Sequence, residues 1–326
     1  MLFILTNSQD ATASFLVSAL QKSGTAFLRL DTDGLLPRIA LSYRPGKPLI
    51  RIDNVWQEAA EVSHVWYRRP EQLKDDRFDS SPESNYARAE WSEFIEGFFA
   101  HVPKQKWVNH PSCNAAASRK LEQLTMAAVL GFSTPDTLVT QEPSALRAFY
   151  DQHQSRIIAK PLSTGYIERH GEQSDSLIYT SLVFEDHLRN LDDLKACPTL
   201  FQQFIEKAYD VRITVVDADI HAVALFGKDK AGDQRCDIRR DNMSGVTYSK
   251  IELPEDVRTG IVRVMAHYAL RFAAIDMAVS AEGQWCFFEI NPNGQWAWLD
   301  TDAGTNIAES FVRLFSGGSA QKPTRS

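Results

Sequence analysis

Asp276, Glu289 and Asn291, two carboxylates and an amide near the C-terminal end, have the side-chain types and spacing to hold a hard cation. Residues 273–280 are apolar and predict a strand, Ala281-Glu282-Gly283 a turn, and residues 284–290 a second, alternating strand. Pairing in a hairpin would set Asp276 beside Glu289. In extended chain residues 289 and 291 point to one face, so the Glu289 carboxylate and the Asn291 amide oxygen would join Asp276 around one or two cations. Oxygen donors of this kind suit Mg²⁺, which usually shares its coordination sphere with phosphates. Taken alone, the triplet also fits, less well, a surface hairpin with ordinary acidic residues.

The rest of the chain must position these groups, and its composition narrows the partners. A length of 326 residues suggests about two domains, or one domain with lobes. The net charge is −7 with Lys and Arg dispersed, which argues against nucleic acid. No run of eighteen apolar residues exists, and the start, Met1 to Asn7, turns polar too early for a signal peptide, so no membrane and a cytoplasmic location are expected. Cys113, Cys197, Cys236 and Cys286 make no close pair and read as reduced thiols. The eight histidines show no pair at helical ligand spacing and are assigned to no metal.

Residues 1–108 read as an N-terminal α/β unit. Residues 2–5 form a short apolar strand, and Asp10 caps a helix with Phe15, Leu16, Ala19 and Leu20 on one face and Gly24 at its stop. Residues 26–30 and 62–67 are further strands, separated by a polar, proline-containing section. Pro82 opens a helix whose Ala87, Trp91, Phe94, Ile95 and Phe98 make one buried stripe. No Gly-x-Gly-x-x-Gly follows the first strand, which disfavours a dinucleotide-binding unit.

A second unit opens at residues 107–111, where Pro111 ends a strand and an alanine-rich segment leads to Lys120. The next helix places Leu121, Leu124 and Ala128 on one face and stops at Gly131. Strands are expected at 137–140 and 156–160, the latter ending in Lys160. The polar stretches 163–165 and 168–176 read as a mobile loop able to close over phosphates, before a strand at 177–184. Strands at 200–205, 211–216 and 220–226 follow, then a mixed-charge loop at 228–242. From Glu255 a long helix sets Val257, Ile261, Val264, Met265, Tyr268 and Phe272 at helical spacing. The tail, 317–326, is small and polar and is expected to fray.

Lys120, Lys160, Gln202-Gln203-Phe204-Ile205, Asp210-x-Arg212, Asp237-x-Arg239, Asp276, Glu289 and Asn291 follow in that order across residues 109–300. Beside them stand Val65-Trp66-Tyr67-Arg68-Arg69-Pro70, Gly131-Phe132, Pro135-x-Thr137, Ala159-Lys160-Pro161-Leu162 and the run from Glu289 to Gly294-Gln295-Trp296. The order resembles the ATP-grasp ligases. The flanking motifs are more similar to the microviridin-type peptide ligases, or graspetide synthetases, ATP-grasp enzymes that mature ribosomal peptides.

That resemblance implies an α/β ATP-grasp fold: a pre-ATP-grasp domain at 1–108, a central lobe at 109–195, a C-terminal lobe with the metal site at 196–316, and a flexible tail at 317–326. ATP and Mg²⁺, two ions, are the implied cofactors. Lys120 and Lys160 would neutralise triphosphate oxygens as point charges. Gln203 and the backbone of Phe204 and Ile205 would read adenine, and Asp210 would accept from ribose hydroxyls. Arg212 and Arg239 would bind the transferring phosphoryl group or an acyl phosphate, while Arg68 and Arg69 would link the two units or meet substrate. Asp276, Glu289 and Asn291 would hold the metal. The implied partner is a precursor peptide with a leader segment, cyclised through Asp or Glu carboxylates onto Ser, Thr or Lys, and a homodimer is left open. A ligase of free amino acids or other small acids shares the ligand set, and a non-catalytic ATP-binding regulator shares the fold.

Overall fold

The computed structural model describes residues 1–317 except 75, 76, 164, 168–175, 230, 231 and 233. The N-terminal unit runs β1 (Leu2–Thr6), α1 (Ala11–Lys22), β2 (Phe27–Asp31), β3 (Ile39–Arg44), β4 (Lys47–Ile52), β5 (Val55–Glu58), β6 (His64–Tyr67), α2 (Pro82–Ala100) and β7 (Trp107–Val108). A parallel sheet of order β2-β1-β6-β7 forms its centre, and β3-β4-β5 make a separate antiparallel sheet. All five residues of β1 are buried because both faces of the sheet are covered. Phe3 and Leu5 pack toward Phe98 and Phe99 of α2. Leu2 and Ile4 pack toward Leu16 and Leu20 of α1, in a cluster that also holds Phe272, Trp296 and Phe311 from the far end of the chain. The Asp10 carboxylate accepts from the Thr12 and Ala13 N–H groups and caps α1.

The remainder runs α3 (Pro111–Ala117), α4 (Lys120–Val129), β8 (Thr137–Thr140), α5 (Pro143–Gln152), β9 (Ile157–Lys160), β10 (Tyr166–Ile167), β11 (Ser176–Leu177), β12 (Ser181–Leu182) and β13 (Thr199–Gln203). It continues through β14 (Tyr209–Val216), β15 (Asp219–Phe226), β16 (Thr247–Lys250), α6 (Glu255–His267), β17 (Phe272–Val279), β18 (Trp285–Asn291), α7 (Ala297–Asp302) and α8 (Ile307–Phe315). The central sheet has the order β12-β9-β13-β8 and rests on Leu146, Phe149 and Tyr150 of α5. The C-terminal sheet, β16-β15-β14-β17-β18, lays Val211, Ile213, Ile275 and Met277 against Val257, Ile261 and Val264 of α6. Among the described residues no helix is long and apolar enough to cross a membrane.

Several sequence expectations shift. β13 lies between β8 and β9, so residues 199–203 complete the central sheet although the boundary read at 195/196 puts them beyond it. Conversely, Ala117 of α3 and Ala127 of α4 belong to the C-terminal lobe's core. Helix α4 buries Gln123 and Ala127, while Leu121 is 52% exposed. The polar residue turns inward because its amide saturates a peptide group: Ile290 N–H donates to Gln123 Oε1 at 3.1 Å and Gln123 Nε2 donates to Ile290 O at 2.9 Å. Phe272 starts β17 instead of closing the α6 stripe, and the strand read at 177–184 is split into β11 and β12. The expected mobile loop falls largely, and the tail from 318 wholly, outside the described residues.

Candidate active site

Strands β17 and β18 pair antiparallel with Asp276 opposite Glu289 and Ala274 opposite Asn291. The register shifts between Asp276 and Met277, so Phe288 is the extra residue of a bulge on β18. A bulge re-aims its side chains; Phe288 and Glu289 both line the same cleft. The Asn291 side chain is fixed by its Oδ1, which accepts from the Asn293 N–H at 2.9 Å, an Asx turn. Both oxygens of Asp276 accept from Arg212 Nη1, at 2.8 and 2.9 Å. Among the described residues Glu289 makes one ion pair, with Lys120 at 3.8 Å. An ionised carboxylate offers about four lone-pair sites, so Asp276 keeps acceptor capacity beside its arginine. The oxygen-only donor set of Asp276, Glu289 and Asn291 fits a hard divalent ion whose remaining ligands come from phosphate and water.

The cleft above this hairpin has a volume of about 410 Å³ and lies between the central and C-terminal sheets. Every candidate read from the sequence lines it. Lys160 ends β9, and burial pulls its ammonium below the usual lysine value, with Glu289 opposing. Lys120 donates to the carbonyls of Pro161 and Ser163, at 2.9 and 3.2 Å, and so ties α4 to the turn after β9. At the hinge after β13, the Phe204 N–H donates to Arg156 O at 2.9 Å. Among the described residues the Phe204 carbonyl and the Ile205 N–H have no hydrogen-bond partner, which leaves one acceptor and one donor beside the exposed Gln203.

Asp210 lines the cleft with two hydrogen bonds already made, which leaves about two of its four lone-pair sites. Its Oδ1 accepts from Lys207 Nζ at 2.6 Å and its Oδ2 from Gln234 Nε2 at 2.9 Å, so both oxygens are engaged. Burial pushes its carboxyl up while Lys207 opposes. Lys207, 6% exposed, lines the cleft beside it, with its ammonium 5.8 Å from the centre of the Phe288 ring. Sequence reasoning missed Lys207 and Phe288. The i, i+3 spacing of Lys207 and Asp210 was the available signal for the first, and the bulge hid the second. Arg239 is held by a two-pronged contact with Asp237, Nε to Oδ1 at 2.9 Å and Nη2 to Oδ2 at 2.7 Å, which raises its pKa. Asp237 Oδ2 also accepts from the Thr180 N–H at 3.1 Å, anchoring the arginine's loop to the central lobe.

Residues 117–315 match the RimK-like ATP-grasp domain, and residues 1–115 match the MvdD pre-ATP grasp domain. The chain belongs to the RimK-like ATP-grasp family. Within it the chain is similar to ATP-grasp macrocyclases of ribosomally made peptides. The macrocyclase MdnC of Microcystis aeruginosa, solved with its precursor peptide MdnA, is 28% identical with a TM-score of 0.83, over 98% of this chain and 100% of that one. A RiPP-associated ATP-grasp ligase of Chryseobacterium gregarium, solved with ADP and a leader and core peptide, is 26% identical with a TM-score of 0.82, over 98% and 97%. The macrocyclase MdnB of Microcystis aeruginosa is 26% identical with a TM-score of 0.75, over 97% and 99%. No curated protein matches.

In this ATP-grasp ligase the run Gly294-Gln295-Trp296 is a junction between domains. Gln295 O accepts from Arg212 Nη2 at 2.9 Å, and Gln295 Oε1 accepts from Arg68 Nη2 at 3.0 Å and from the Thr12 hydroxyl. Trp296 is fully buried, stacked on Phe311 at 5.2 Å and edge-on to Phe15 of α1 at 5.9 Å. A Cβ on Gly294 would fall on the Ala274 methyl and within 2.9 Å of Arg212 Nη2. Gly294→Ala is therefore expected to destabilise by about 1–3 kcal/mol and to displace Arg212, so that kcat falls along with the denaturation midpoint. Unchanged kcat in a stable Gly294→Ala protein would show that the tight approach has no bearing on the site.

Proposed function

We propose that this ligase closes rings in a ribosomally made precursor peptide, using ATP to activate Asp or Glu side-chain carboxylates for attack by a Ser or Thr hydroxyl or a Lys amine of the same peptide. The observation that carries this reading is the convergence of the Asp276, Glu289 and Asn291 oxygens with the Lys120, Lys160, Arg212 and Arg239 cations in one cleft. Peptide-bound relatives that match along nearly the whole chain support the choice of substrate.

A carboxylate does not condense with an alcohol or amine in water because oxide leaves poorly. Attack of a carboxylate oxygen on the γ-phosphorus expels ADP and gives an acyl phosphate; attack of the hydroxyl or amine on the acyl carbon then expels phosphate, and the nucleophile's proton is lost. Lys120 and Lys160 would hold the phosphates, and the Phe204 carbonyl with the Ile205 N–H would read the adenine edge. Lys207, held by Asp210, takes the ribose end of the cleft in this reading. Asp276, Glu289 and Asn291 would hold Mg²⁺, two ions, which supplies charge stabilisation to the phosphoryl oxygens. Arg212 and Arg239 are fixed by Asp276 and Asp237, so little reorganisation is needed to meet an anion that forms between them. Exclusion of water protects the acyl phosphate from hydrolysis. A leader segment on the peptide, a homodimeric assembly and a cytoplasmic location complete the proposal.

Co-expression with the short peptide encoded beside the gene, rich in Ser, Thr or Lys and in Asp or Glu, is the test. Each ring is expected to lower the peptide mass by one water, with ADP release that depends on the peptide. Strong ATP turnover on free amino acids without peptide would overturn the reading.

A further inference from the structure

Among the described residues most cations of the cleft have a carboxylate partner: Arg212 has Asp276, Arg239 has Asp237, Lys207 has Asp210, and Lys120 lies near Glu289. Lys160 and Arg69 form no ion pair, although Glu289 acts on Lys160 and Asp10 on Arg69 from further off. Lys160 ends β9 opposite Leu200, within reach of the Glu289 and Asp276 charges, where triphosphate oxygens account for its charge in the ligase reading. Arg69 reaches the cleft from the other side. It follows β6 of the N-terminal domain, and its exposed guanidinium makes one long hydrogen bond, Nη2 to Asn293 O at 3.3 Å. Two residues further along, the Gln295 carbonyl holds Arg212. Two guanidinium groups are thus anchored to carbonyls of one turn, and among the described residues only Arg212 has a carboxylate in direct contact.

The division of the cleft between domains points to the missing anion. In the ligase reading the hinge takes adenine, Lys160 and the Asp276, Glu289 and Asn291 oxygens take the phosphates and the metal, and Arg69 lines the same cleft from the N-terminal domain. In-line displacement requires the attacking oxygen on the face of the phosphorus opposite the leaving oxygen. Arg69, the cleft cation supplied by the N-terminal domain, is the group left to hold that oxygen. A planar guanidinium with free N–H groups matches a carboxylate in a two-point contact. We propose that Arg69 binds the substrate's side-chain carboxylate and aims it at the γ-phosphate, so that the pre-ATP-grasp domain selects which acidic side chain is activated. This rests on the peptide-ligase reading above.

The test is steady-state kinetics of Arg69→Gln and Arg69→Lys with the peptide encoded beside the gene, together with calorimetric titration of each protein with Mg²⁺ and a non-hydrolysable ATP analogue. Loss of a charge-assisted contact is expected to raise the peptide KM, or lower kcat/KM, by roughly 10- to 100-fold in Arg69→Gln. Nucleotide affinity should stay within about twofold, and Arg69→Lys should recover part of the peptide effect. An unchanged peptide KM and kcat, or a loss confined to nucleotide affinity, overturns the assignment and gives Arg69 to the phosphates or to the junction. If the wild-type protein itself dehydrates no peptide, the underlying ligase reading fails instead, so the two failures are distinguishable.

Discussion

Glu289→Gln is expected to lower peptide ligation by on the order of 10³-fold while leaving thermal unfolding where it is in the wild type. Glu289 is 29% exposed, and among the described residues its one ion pair, with Lys120, spans 3.8 Å. A loose, partly solvated pair of this kind contributes about 0–1 kcal/mol to stability, so the loss falls on metal and phosphate binding. Asp276→Asn should lose as much activity but behave differently in the unfolding experiment. Its partner Arg212 is only 13% exposed and spends both hydrogen bonds from Nη1 on the carboxylate. Removing the charge leaves the guanidinium without its counter-ion, and a lower midpoint is expected for Asp276→Asn than for Glu289→Gln. ADP release at a series of Mg²⁺ concentrations, read beside thermal denaturation, separates the two effects. Undiminished ligation in either variant would refute the metal assignment.

The hairpin that carries these residues was legible because its ingredients are local. Apolar runs on either side of Ala281-Glu282-Gly283 specify two strands, and register does the rest, setting Asp276 opposite Glu289. Long-range order was legible only through motif resemblance, since nothing in the periodicity of 156–160 says that Lys160 faces Glu289. Three kinds of residue escaped. Phe288 escaped because a bulge inserts one residue without breaking the apolar run Cys286-Phe287-Phe288. Gln123 escaped because its burial depends on a peptide group 167 positions away, and a helix face chosen by hydrophobicity put Leu121 inside instead. The meander β3-β4-β5 escaped because its inward residues Ile39, Ile50 and Ile52 are separated by Arg, Pro and Lys, which mask the alternation. Asp210 is a case of another kind: the residue was found, but its partners Lys207 and Gln234, which fix its carboxylate, were not.

Gly294-Gln295-Trp296 had no metal chemistry of its own, and the structure supplies a mechanical reason for it: the turn after the last metal ligand is clamped by the N-terminal domain. Arg68 is the centre of that clamp. It is fully buried, forms an ion pair with equally buried Asp10 at 3.3 Å, and donates to Asn293 O and Gln295 Oε1. Replacing it by methionine fills similar space but strands the Asp10 charge, and breaking a buried pair from one side costs about 3–5 kcal/mol. Arg68→Met should therefore show a large drop in denaturation midpoint and, in whatever folds, reduced ligation, because the Asn293–Gln295 carbonyls that steady Arg69 and Arg212 lose their anchor. Arg68→Lys should rescue little, since one ammonium cannot span a carboxylate, a carbonyl and an amide oxygen in the fixed geometry of a guanidinium fork. The double variant Asp10→Asn with Arg68→Met removes the stranded charge and should regain part of the stability lost by Arg68→Met alone, while ligation stays low. That split distinguishes the two jobs of Arg68: neutralising Asp10, which a neutral pair can replace, and holding the turn behind the metal site, which it cannot. A midpoint for Arg68→Met within about 1 kcal/mol of wild type would mean that the two domains are held together elsewhere, in the Trp296 and Phe311 packing alone.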